Sequence, residues 1–376
     1  TTEIYTLSLH DALPILLIHA DADKNRRNII DGQQRLTTLS VLHYVLSGKL
    51  PAGVDFMFGS PESAYNIKRT QKLIASRPGL ERLRTVFDRI RFTVITVPNE
   101  DLAFTFFDNQ NSRGVQLGAA DLLKAFHLRA IGGDMREQLQ GRFAARWEGW
   151  QTTGACAGIA GDFADILFGK LLWRGRRWRG QWTLPFESRQ SIIDEFVGRK
   201  PTADVNGVID LFPGPAAWRD ARLVVHRDMG VSLTEGALRE PTSPAEFPFS
   251  LRQPIQQGIG FFLYVERYAA IADDLLNPKS KDMQLAEFRD FYSKVTSNLS
   301  EYLQEFFCLA VLMWVDRFGI RDLMRFLHWL DYAIGANRIE KSYVFAAAPT
   351  VYLREASMNL LDLIANAFVP EEVFDF

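Results

Sequence analysis

The spacing of apolar residues predicts strands and helices in the first third of the chain and helices almost alone afterwards. Short apolar runs at 16–20 (LLIHA), 28–30 (NII) and 91–97 (RFTVITV) are typical of strands. After the second run, apolar residues recur about every three positions from Leu36 onwards, which predicts a helix that ends near Gly48.

The same spacing predicts the remaining elements. In the first third, helices are expected at 62–76, 79–90, 100–110 and 119–131, and a further strand at 55–58. Beyond Gly132, helices are expected at 134–149, 162–173, 188–198, 257–276, 284–307, 308–334 and 351–367, and long loops at 200–256. The predicted fold class is therefore α+β and mostly helical, with a small α/β domain at 16–131 and a larger all-α domain at 132–376.

Two apolar segments of the second region are interpreted as core rather than as membrane spans. The segment 311–330 (VLMWVDRFGIRDLMRFLHWL) carries five charged residues, so it reads as an amphipathic helix. In the other segment, five residues are predicted to form core: Phe261, Phe262, Tyr264, Val265 and Tyr268.

Composition narrows the class of protein. Hydrophobic residues make up 47% and charged residues 23% of the chain, as in globular domains, and the aromatic share of 12% is enough for an ample core. Cys156 and Cys308 lie far apart without metal-ligand spacing, which argues against a disulfide scaffold or a zinc site. A net charge of -2 neither indicates nor excludes a local nucleic-acid-binding patch. No secretion signal is recognised, so a cytoplasmic location without membrane attachment is expected.

Residues 1–15 (TTEIYTLSLHDALPI) are interpreted separately. They match the translation of a common short-read sequencing adapter, and we read them as a library artefact joined to a truncated gene. Removing Glu3 and Asp11 from the 45 acidic residues leaves 43, which equals the number of basic residues. The remaining chain is therefore neutral.

The stretch Asp31-Gly32-Gln33-Gln34-Arg35 lies where a predicted strand passes into a predicted helix. The first N–H groups of a helix lack internal partners and favour anions. Gly32 permits a tight turn, and Arg35 can grip a phosphate with two hydrogen bonds. Gln33 or Gln34 could orient a water molecule, and Asp31 could bind Mg²⁺ or polarise that water. The alternative is purely structural, because Asp31 and Gln34 have nearly the spacing of a capping box.

A second polar motif occupies residues 107–126 (FDNQNSRGVQLGAADLLKAF). Asn111, Arg113 and Gly114 fall in a loop suited to contacting phosphate or sugar, and Asp121 and Lys124 follow on the next helix. The structural alternatives are a helix C-cap for Asn111, a turn for Gly114 and a surface ion pair between Asp121 and Lys124.

Together the two motifs resemble the N-terminal domain of the GmrSD-type modification-dependent restriction enzymes, a ParB/sulfiredoxin-like family. The matching residues are DGQQR followed by Leu36-Thr37-Thr38-Leu39, and Asn111-Ser112-Arg113-Gly114, Leu117 and Asp121-Leu122-Leu123-Lys124. The resemblance covers about residues 16–131 and implies an N-terminally truncated ParB-like domain.

The resemblance also implies nucleotide binding and hydrolysis that regulate the cleavage of modified foreign DNA, as in a type IV-like restriction or phage-defence system. By carry-over, the catalytic residues would be Asp31, Gln33 and Gln34, with Asp31 also holding Mg²⁺. The nucleotide-binding residues would be Gly32, Arg35, Thr37, Asn111, Arg113 and Gly114.

Two departures from the family pattern affect the expected partners. The upstream P-x-F/Y-Q-R-x-Y-x-W motif is absent, as truncation would explain. No histidine lies in a cluster typical of an HNH nuclease, so we expect that this chain does not cut DNA alone. Three alternatives are left open: a separate nuclease subunit, a missing C-terminal nuclease domain, and no nuclease at all. Homo-oligomerisation is left open.

The densest basic segment is WRGRRWRGQW at 173–182. Its arginines, Arg174, Arg176, Arg177 and Arg179, are predicted to contact DNA phosphates, and its tryptophans could stack on bases. The alternative is a loop whose tryptophans pack into the core while the arginines are solvated.

Three other functions of the whole chain remain open: a non-hydrolysing nucleotide-switched DNA-binding module, a ParB-like nuclease, and an interaction protein in which DGQQR is only a structural cap.

Overall fold

The computed structural model describes most of the chain, in two compact units, Thr1–Leu117 and Gly118–Phe376. The described residues are 15–21, 26–56, 61–98, 117–133, 135–156, 158–181, 183, 186–199, 222–225, 231–234, 243–247, 249–340 and 345–375.

The first unit is built on a three-stranded sheet with the strand order β2-β1-β3. The strands are β1 (Ile15–Asp21), β2 (Arg26–Asp31) and β3 (Thr93–Val97). The central strand β1 runs antiparallel to β2 and parallel to β3. These three strands confirm the predicted ones. The further strand expected at 55–58 is not seen at residues 55 and 56, which are irregular, and its other two residues lie outside the described ones.

Burial fixes the position of β1 in the first unit. Successive strand residues face opposite sides of a sheet, and Leu16 and Leu17 are both buried, so both faces of β1 are covered. Leu17 and Val97 form a small core against which Ile30 and Ile95 pack. The end of β2 is thereby held beside the start of β1.

Among its described residues, the first unit has the α-helices α1 (Gln33–Ser47) and α2 (Pro61–Ala75). The helix predicted at 79–90 forms as a 3₁₀ helix, Leu80–Arg89. As predicted, α1 ends at Gly48, which has φ 75° and donates its N–H to Tyr44 O at 2.8 Å. This left-handed glycine satisfies one of the last carbonyls of the helix.

Where the structure describes it, the second unit is mainly helical and contains one β-hairpin, and the α+β, mostly helical fold class is confirmed. Its helices are α3 (Ala119–Ala130), α4 (Arg136–Thr153), α5 (Phe163–Asp165), α6 (Arg174–Arg177), α7 (Arg189–Phe196), α8 (Ile259–Leu276), α9 (Ala286–Lys294), α10 (Glu301–Phe318), α11 (Leu323–Glu340), α12 (Ala348–Glu355), α13 (Leu360–Asn366) and α14 (Glu371–Phe374). A π-helical segment, Ile166–Trp173, joins α5 to α6. Short 3₁₀ helices lie at Pro244–Glu246 and Thr296–Asn298. The hairpin, in the region expected to form long loops, pairs β4 (Arg222–Val225) with β5 (Val231–Thr234).

The core of the second unit is centred on α8 and α10, which are buried along most of their length. A helix that is apolar on all sides is stable only inside a protein, where every face meets another element. The five core residues predicted in α8 are each at most 1% exposed, which confirms that prediction. In the part of the chain that the structure describes, no helix is both long and apolar enough to cross a bilayer.

Three long predicted helices are each interrupted. The prediction of one helix over 308–334 is wrong, because two helices lie there. Helix α10 ends before Gly319, which has φ 64°, and Asp322 has φ 51° just before α11 begins. The helix expected at 284–307 is divided into α9 and the first part of α10. The helix expected at 351–367 is divided where the side chain of Asn359 caps α13.

Candidate functional site

The Asp-Gly turn joins the end of β2 to the start of α1. Gly32 has φ 99° and ψ 3°, a left-handed conformation that residues with a side chain rarely adopt. A Cβ at this position would overlap Leu16 Cδ2 and lie 3.2 Å from Ile15 O. Both the backbone angle and the space therefore require glycine, and they bring the main chain of the turn close against β1.

Asp31 and Arg35 form an ion pair across the turn. Arg35 Nη1 lies 3.2 Å from Asp31 Oδ2 and also donates to Ile15 O at 2.7 Å. Asp31 Oδ1 accepts the N–H of Gly32 at 2.7 Å. The Arg35 side chain is 49% exposed and that of Asp31 is 23% exposed. The pair thus fastens the start of α1 to β1 and is still reachable from solvent.

The two glutamines differ in how firmly they are held. Gln33 Nε2 donates to Ile29 O at 2.6 Å, which fixes the amide and leaves its oxygen as an acceptor. Gln34 is exposed, and its side chain makes no hydrogen bond to another described residue. Thr37 is half-buried one turn further along α1. Of the two, Gln34 is the amide that can turn towards a ligand.

The capping-box alternative for this turn does not form. The N-cap of α1 is Gly32 rather than Asp31, and no side chain caps the helix. The carboxylate of Asp31 instead accepts from its immediate neighbour. The first N–H groups of α1 therefore keep the partial positive charge that a helix start presents.

The second predicted motif is only partly described. Asn111, Arg113 and Gly114 lie outside the described residues. Helix α3, which follows them, falls in the second unit rather than in the first. On it, Lys124 pairs with Glu148 of α4 at 3.0 Å instead of with exposed Asp121.

Arg174 is buried inside the second unit, a position that does not favour the predicted contact with DNA. Its side chain is 6% exposed. Its Nε lies 3.1 Å from Glu187 Oε2, and its Nη1 lies 2.7 Å from Glu305 Oε2. Burial acts to raise the pKa of Glu187, but Arg174 and Lys170 hold it below its ordinary value. The guanidinium is therefore committed to carboxylates inside the second unit.

Arg176 is enclosed in the same way. Arg176 is 7% exposed, and its Nε lies 2.5 Å from Glu195 Oε1. Its Nη1 donates to Leu251 O at 2.6 Å and to Gln253 O at 2.7 Å. A guanidinium surrounded by protein acceptors is not presented to DNA.

The rest of the basic segment is divided between core and surface. Trp173 and Trp178 are each 1% exposed, as the packing alternative predicted, and Trp182 lies outside the described residues. The Arg177 side chain is 51% exposed and pairs with Glu195. Arg179 is exposed and donates its Nε to Arg176 O at 2.7 Å. Arg177 and Arg179 thus stay predictions as DNA contacts.

An ion pair between α4 and α8, buried at its glutamate, was not predicted from the pattern of apolar residues. Glu266 is 6% exposed, and its Oε2 accepts a hydrogen bond from Arg146 Nη2. The available signal was a glutamate inside the apolar run FFLYVERYAA, where a charge needs a partner. Among the residues that the structure describes, no three His, Cys, Asp or Glu side chains are grouped so that they could hold a metal ion.

Two family models match the chain. The model for the GmrSD restriction endonuclease, N-terminal domain, matches residues 9–128. The model described as Family of unknown function (DUF7834) matches residues 139–376. Comparison with curated proteins and with solved structures found no match. The first match confirms the resemblance of the two motifs and indicates a component of a restriction or phage-defence system. Because the second match spans more than half of the 376 residues, the chain belongs to the DUF7834 family, and its first part is a GmrSD-type N-terminal domain.

Proposed function

We propose that the chain binds and hydrolyses a nucleoside triphosphate at the Asp-Gly turn, and that this turnover regulates the restriction of modified DNA. The observation that carries the proposal is the geometry of the turn. A left-handed Gly32 leads into a helix start without a side-chain cap, beside the half-exposed Arg35. Backbone N–H groups, a helix dipole and a guanidinium together favour a phosphate group.

Each residue of the turn has a proposed role. Arg35 and the first N–H groups of α1 hold the phosphates, and Gly32 provides the left-handed turn that places this helix start beside β1. Gln34 has an exposed side chain that can orient the attacking water, with the oxygen of Gln33 as a second acceptor. Thr37 contributes its hydroxyl, and Asn111, Arg113 and Gly114 complete the pocket as the family resemblance implies.

Asp31 is the proposed Mg²⁺ ligand. Mg²⁺ in nucleotide sites commonly takes one or two carboxylates and completes its shell with phosphate oxygens and water. Each oxygen of Asp31 accepts one hydrogen bond within the turn, and a carboxylate offers about four lone-pair positions. Asp31 can therefore hold the ion without leaving the turn. When bound, the ion would neutralise charge on the phosphates.

The hydrogen bond from Arg35 to Ile15 O favours a second candidate function, a nucleotide switch without turnover. A phosphate that draws Arg35 away competes with this bond and with Asp31. Nucleotide binding would then change the hydrogen bonding at the start of β1 without any hydrolysis. A nuclease site in the same domain is the third reading, and metal-dependent nicking of DNA by the chain would reveal it.

The downstream partners follow from the restriction context. We propose that DNA, in modified form, is the target, and that a separate HNH nuclease subunit or domain cuts it. Arg177 and Arg179 are the proposed DNA contacts on the second unit. Self-association of the chain would bring two such surfaces together.

The test is phosphate release from ATP, GTP and CTP by the full chain with Mg²⁺. We expect Arg35→Ala to lower turnover at least tenfold, because the phosphates lose a charged donor. The matched control is Arg69→Ala, which removes an exposed arginine from α2 in the same unit and should leave turnover unchanged. Circular dichroism of both variants establishes that they are folded.

The outcomes separate the candidate functions. Turnover that is lost only in the folded Arg35→Ala variant supports the proposal. Nucleotide binding that depends on Arg35 but gives no phosphate release supports the switch instead. If neither binding nor turnover is detected with any of the three nucleotides, the turn is a structural element and the proposal fails.

A further inference from the structure

Strand β3 lies at one edge of the sheet in the first unit. The strand order β2-β1-β3 places it there, and it pairs with β1 along its whole length. In the part of the chain that the structure describes, the main-chain groups on its other side make no hydrogen bond. A row of free N–H and C=O groups at a sheet edge is a template on which one further strand can pair.

The two edges of this sheet differ in charge. Strand β2, at the opposite edge, carries Arg26, Arg27 and Asp31. Charged side chains on an edge strand discourage pairing with another chain. Strand β3 (TVITV) contains neither a charged residue nor a proline. Of the two edges, β3 is therefore the one to which a strand can be added.

The side chains of β3 suit a strand inside a sheet rather than one at its edge. Every position carries a β-branched residue, the class that packs best on a pleated surface. Val94 is 53% exposed and Thr96 is exposed, so one face of the strand is open to solvent. On the opposite face, Ile95 is half-buried against the small core of Leu17 and Val97. A strand added beside β3 would extend both faces and cover more of Ile95.

The strand is complementary to a second copy of itself. In an antiparallel pair of two β3 strands, the register centred on Ile95 gives all five residues a partner. Ile95 then lies opposite its own copy, and Thr93 lies opposite Val97. Val94 lies opposite Thr96, so exposed side chains meet on one face and less exposed ones on the other, because strand residues alternate between faces.

The charges that flank β3 in the sequence favour the antiparallel arrangement. Arg91 precedes the strand, and Glu100 and Asp101, which lie outside the described residues, follow it. Antiparallel pairing directs the basic start of one strand towards the acidic end of the other, whereas parallel pairing directs like charges towards each other. Antiparallel pairing of identical strands also gives the two-fold symmetry that most homodimers have.

We propose that β3 is the interface of a homodimer, in which two copies of the chain pair their β3 strands antiparallel in the register centred on Ile95. The two three-stranded sheets then form one continuous sheet. Because the paired strands are short, the dimer is expected to be of the weak, reversible class that dissociates on dilution. The interface does not require nucleotide binding or turnover at the Asp-Gly turn.

The experiment is sedimentation velocity of the full chain over a series of concentrations, which gives the dissociation constant of the dimer. The double variant Val94→Lys/Thr96→Lys places lysine opposite lysine twice, and should raise that constant about tenfold or more. The double variant Val94→Lys/Thr96→Glu places lysine opposite glutamate at the same two positions, and should restore the dimer. Leu73→Lys, which replaces an apolar residue that is 60% exposed on α2, is the control and should change nothing.

The opposite results are equally clear. A parent chain that stays monomeric at every concentration overturns the proposal, and leaves the edge to a strand of another protein. A dimer that neither double variant weakens lies elsewhere, and a dimer that both weaken equally does not have this register.

Amide hydrogen exchange of the parent decides the question even if a double variant fails to fold. The amides of Thr93–Val97 should exchange more slowly in concentrated than in dilute solution, because pairing protects them. A dimer in which their exchange does not depend on concentration would overturn the proposal.

Discussion

His127 stacks on Phe261 with ring centroids 3.6 Å apart and ring planes 10° from parallel. The imidazole is completely buried, with Nε2 2.9 Å from Phe196 O and Nδ1 3.2 Å from the N–H of Gly258. The carbonyl needs a donor and the amide needs an acceptor, so the neutral ring carries its proton on Nε2. The bond to Gly258 would be lost on protonation.

Acid should therefore destabilise the second unit through His127. Burial lowers its pKa to about 3, against the hydrogen bond to Phe196 O, whereas the ordinary value is 6.5. Between these values the unfolded chain binds the proton and the folded one does not, so stability falls as pH falls below 6.5. From pH 7 to pH 5 this group should cost about 2 kcal/mol of unfolding free energy.

Urea unfolding of the parent and of His127→Gln measures this contribution. The variant cannot titrate at this position, so its loss of stability between pH 7 and pH 5 should be smaller by about 2 kcal/mol. His328→Gln, which replaces an exposed histidine on α11, should keep the acid dependence of the parent. An unchanged acid dependence in His127→Gln would mean that the ring is accessible to protons in the folded state.

The short-range part of the fold was predictable because it depends on local spacing. The strands around β1, the helix that begins at Gln33 and the buried face of α8 all follow from the alternation or three-to-four periodicity of apolar residues. The Asp-Gly turn was predictable for the same reason, since it lies between two such patterns. The breaks at Gly319 and Asp322 were missed, because a helical pattern tolerates single residues of these types and the chain reversal depends on tertiary packing.

The contacts that decide the role of a charged residue were not predictable. Arg174 meets Glu187, 13 residues away, and Glu305, 131 residues away. Arg35 finds its main-chain acceptor, Ile15 O, 20 residues earlier in the neighbouring strand. No local pattern encodes such distances, so a basic run in the sequence looks the same whether its arginines are exposed or buried.

Replacing Gly32 should open the first unit more than replacing Gly48. Gly48→Ala meets no atom within 4 Å and costs only the left-handed conformation, about 1–2 kcal/mol. Gly32→Ala has the same conformational cost and in addition overlaps Leu16, so a further cost of about 1–3 kcal/mol is expected.

Amide hydrogen exchange of α1 and β2 is the suitable measurement, because it reports local opening. The amides around Gly32 should exchange faster in Gly32→Ala than the same amides in Gly48→Ala. Equal protection in the two variants would mean that Leu16 moves aside and that the turn is not closely packed.

Arg174 and Arg177 lie three positions apart in one short helix. Replacing each in turn compares the stability cost of losing a buried arginine with that of losing an exposed one. Arg174→Met leaves Glu187 and Glu305 largely buried with Lys170 as their remaining cation, and should cost about 3–5 kcal/mol of unfolding free energy. Arg177→Met removes a half-exposed pair and should cost less than about 1 kcal/mol. Urea unfolding tests both values.

If Arg177 contacts DNA, Arg177→Met should also weaken DNA binding and make that binding less dependent on salt concentration while the fold stays intact. Equal costs for the two variants would contradict the burial of Arg174, and unchanged DNA binding in Arg177→Met would remove Arg177 from the proposed interface.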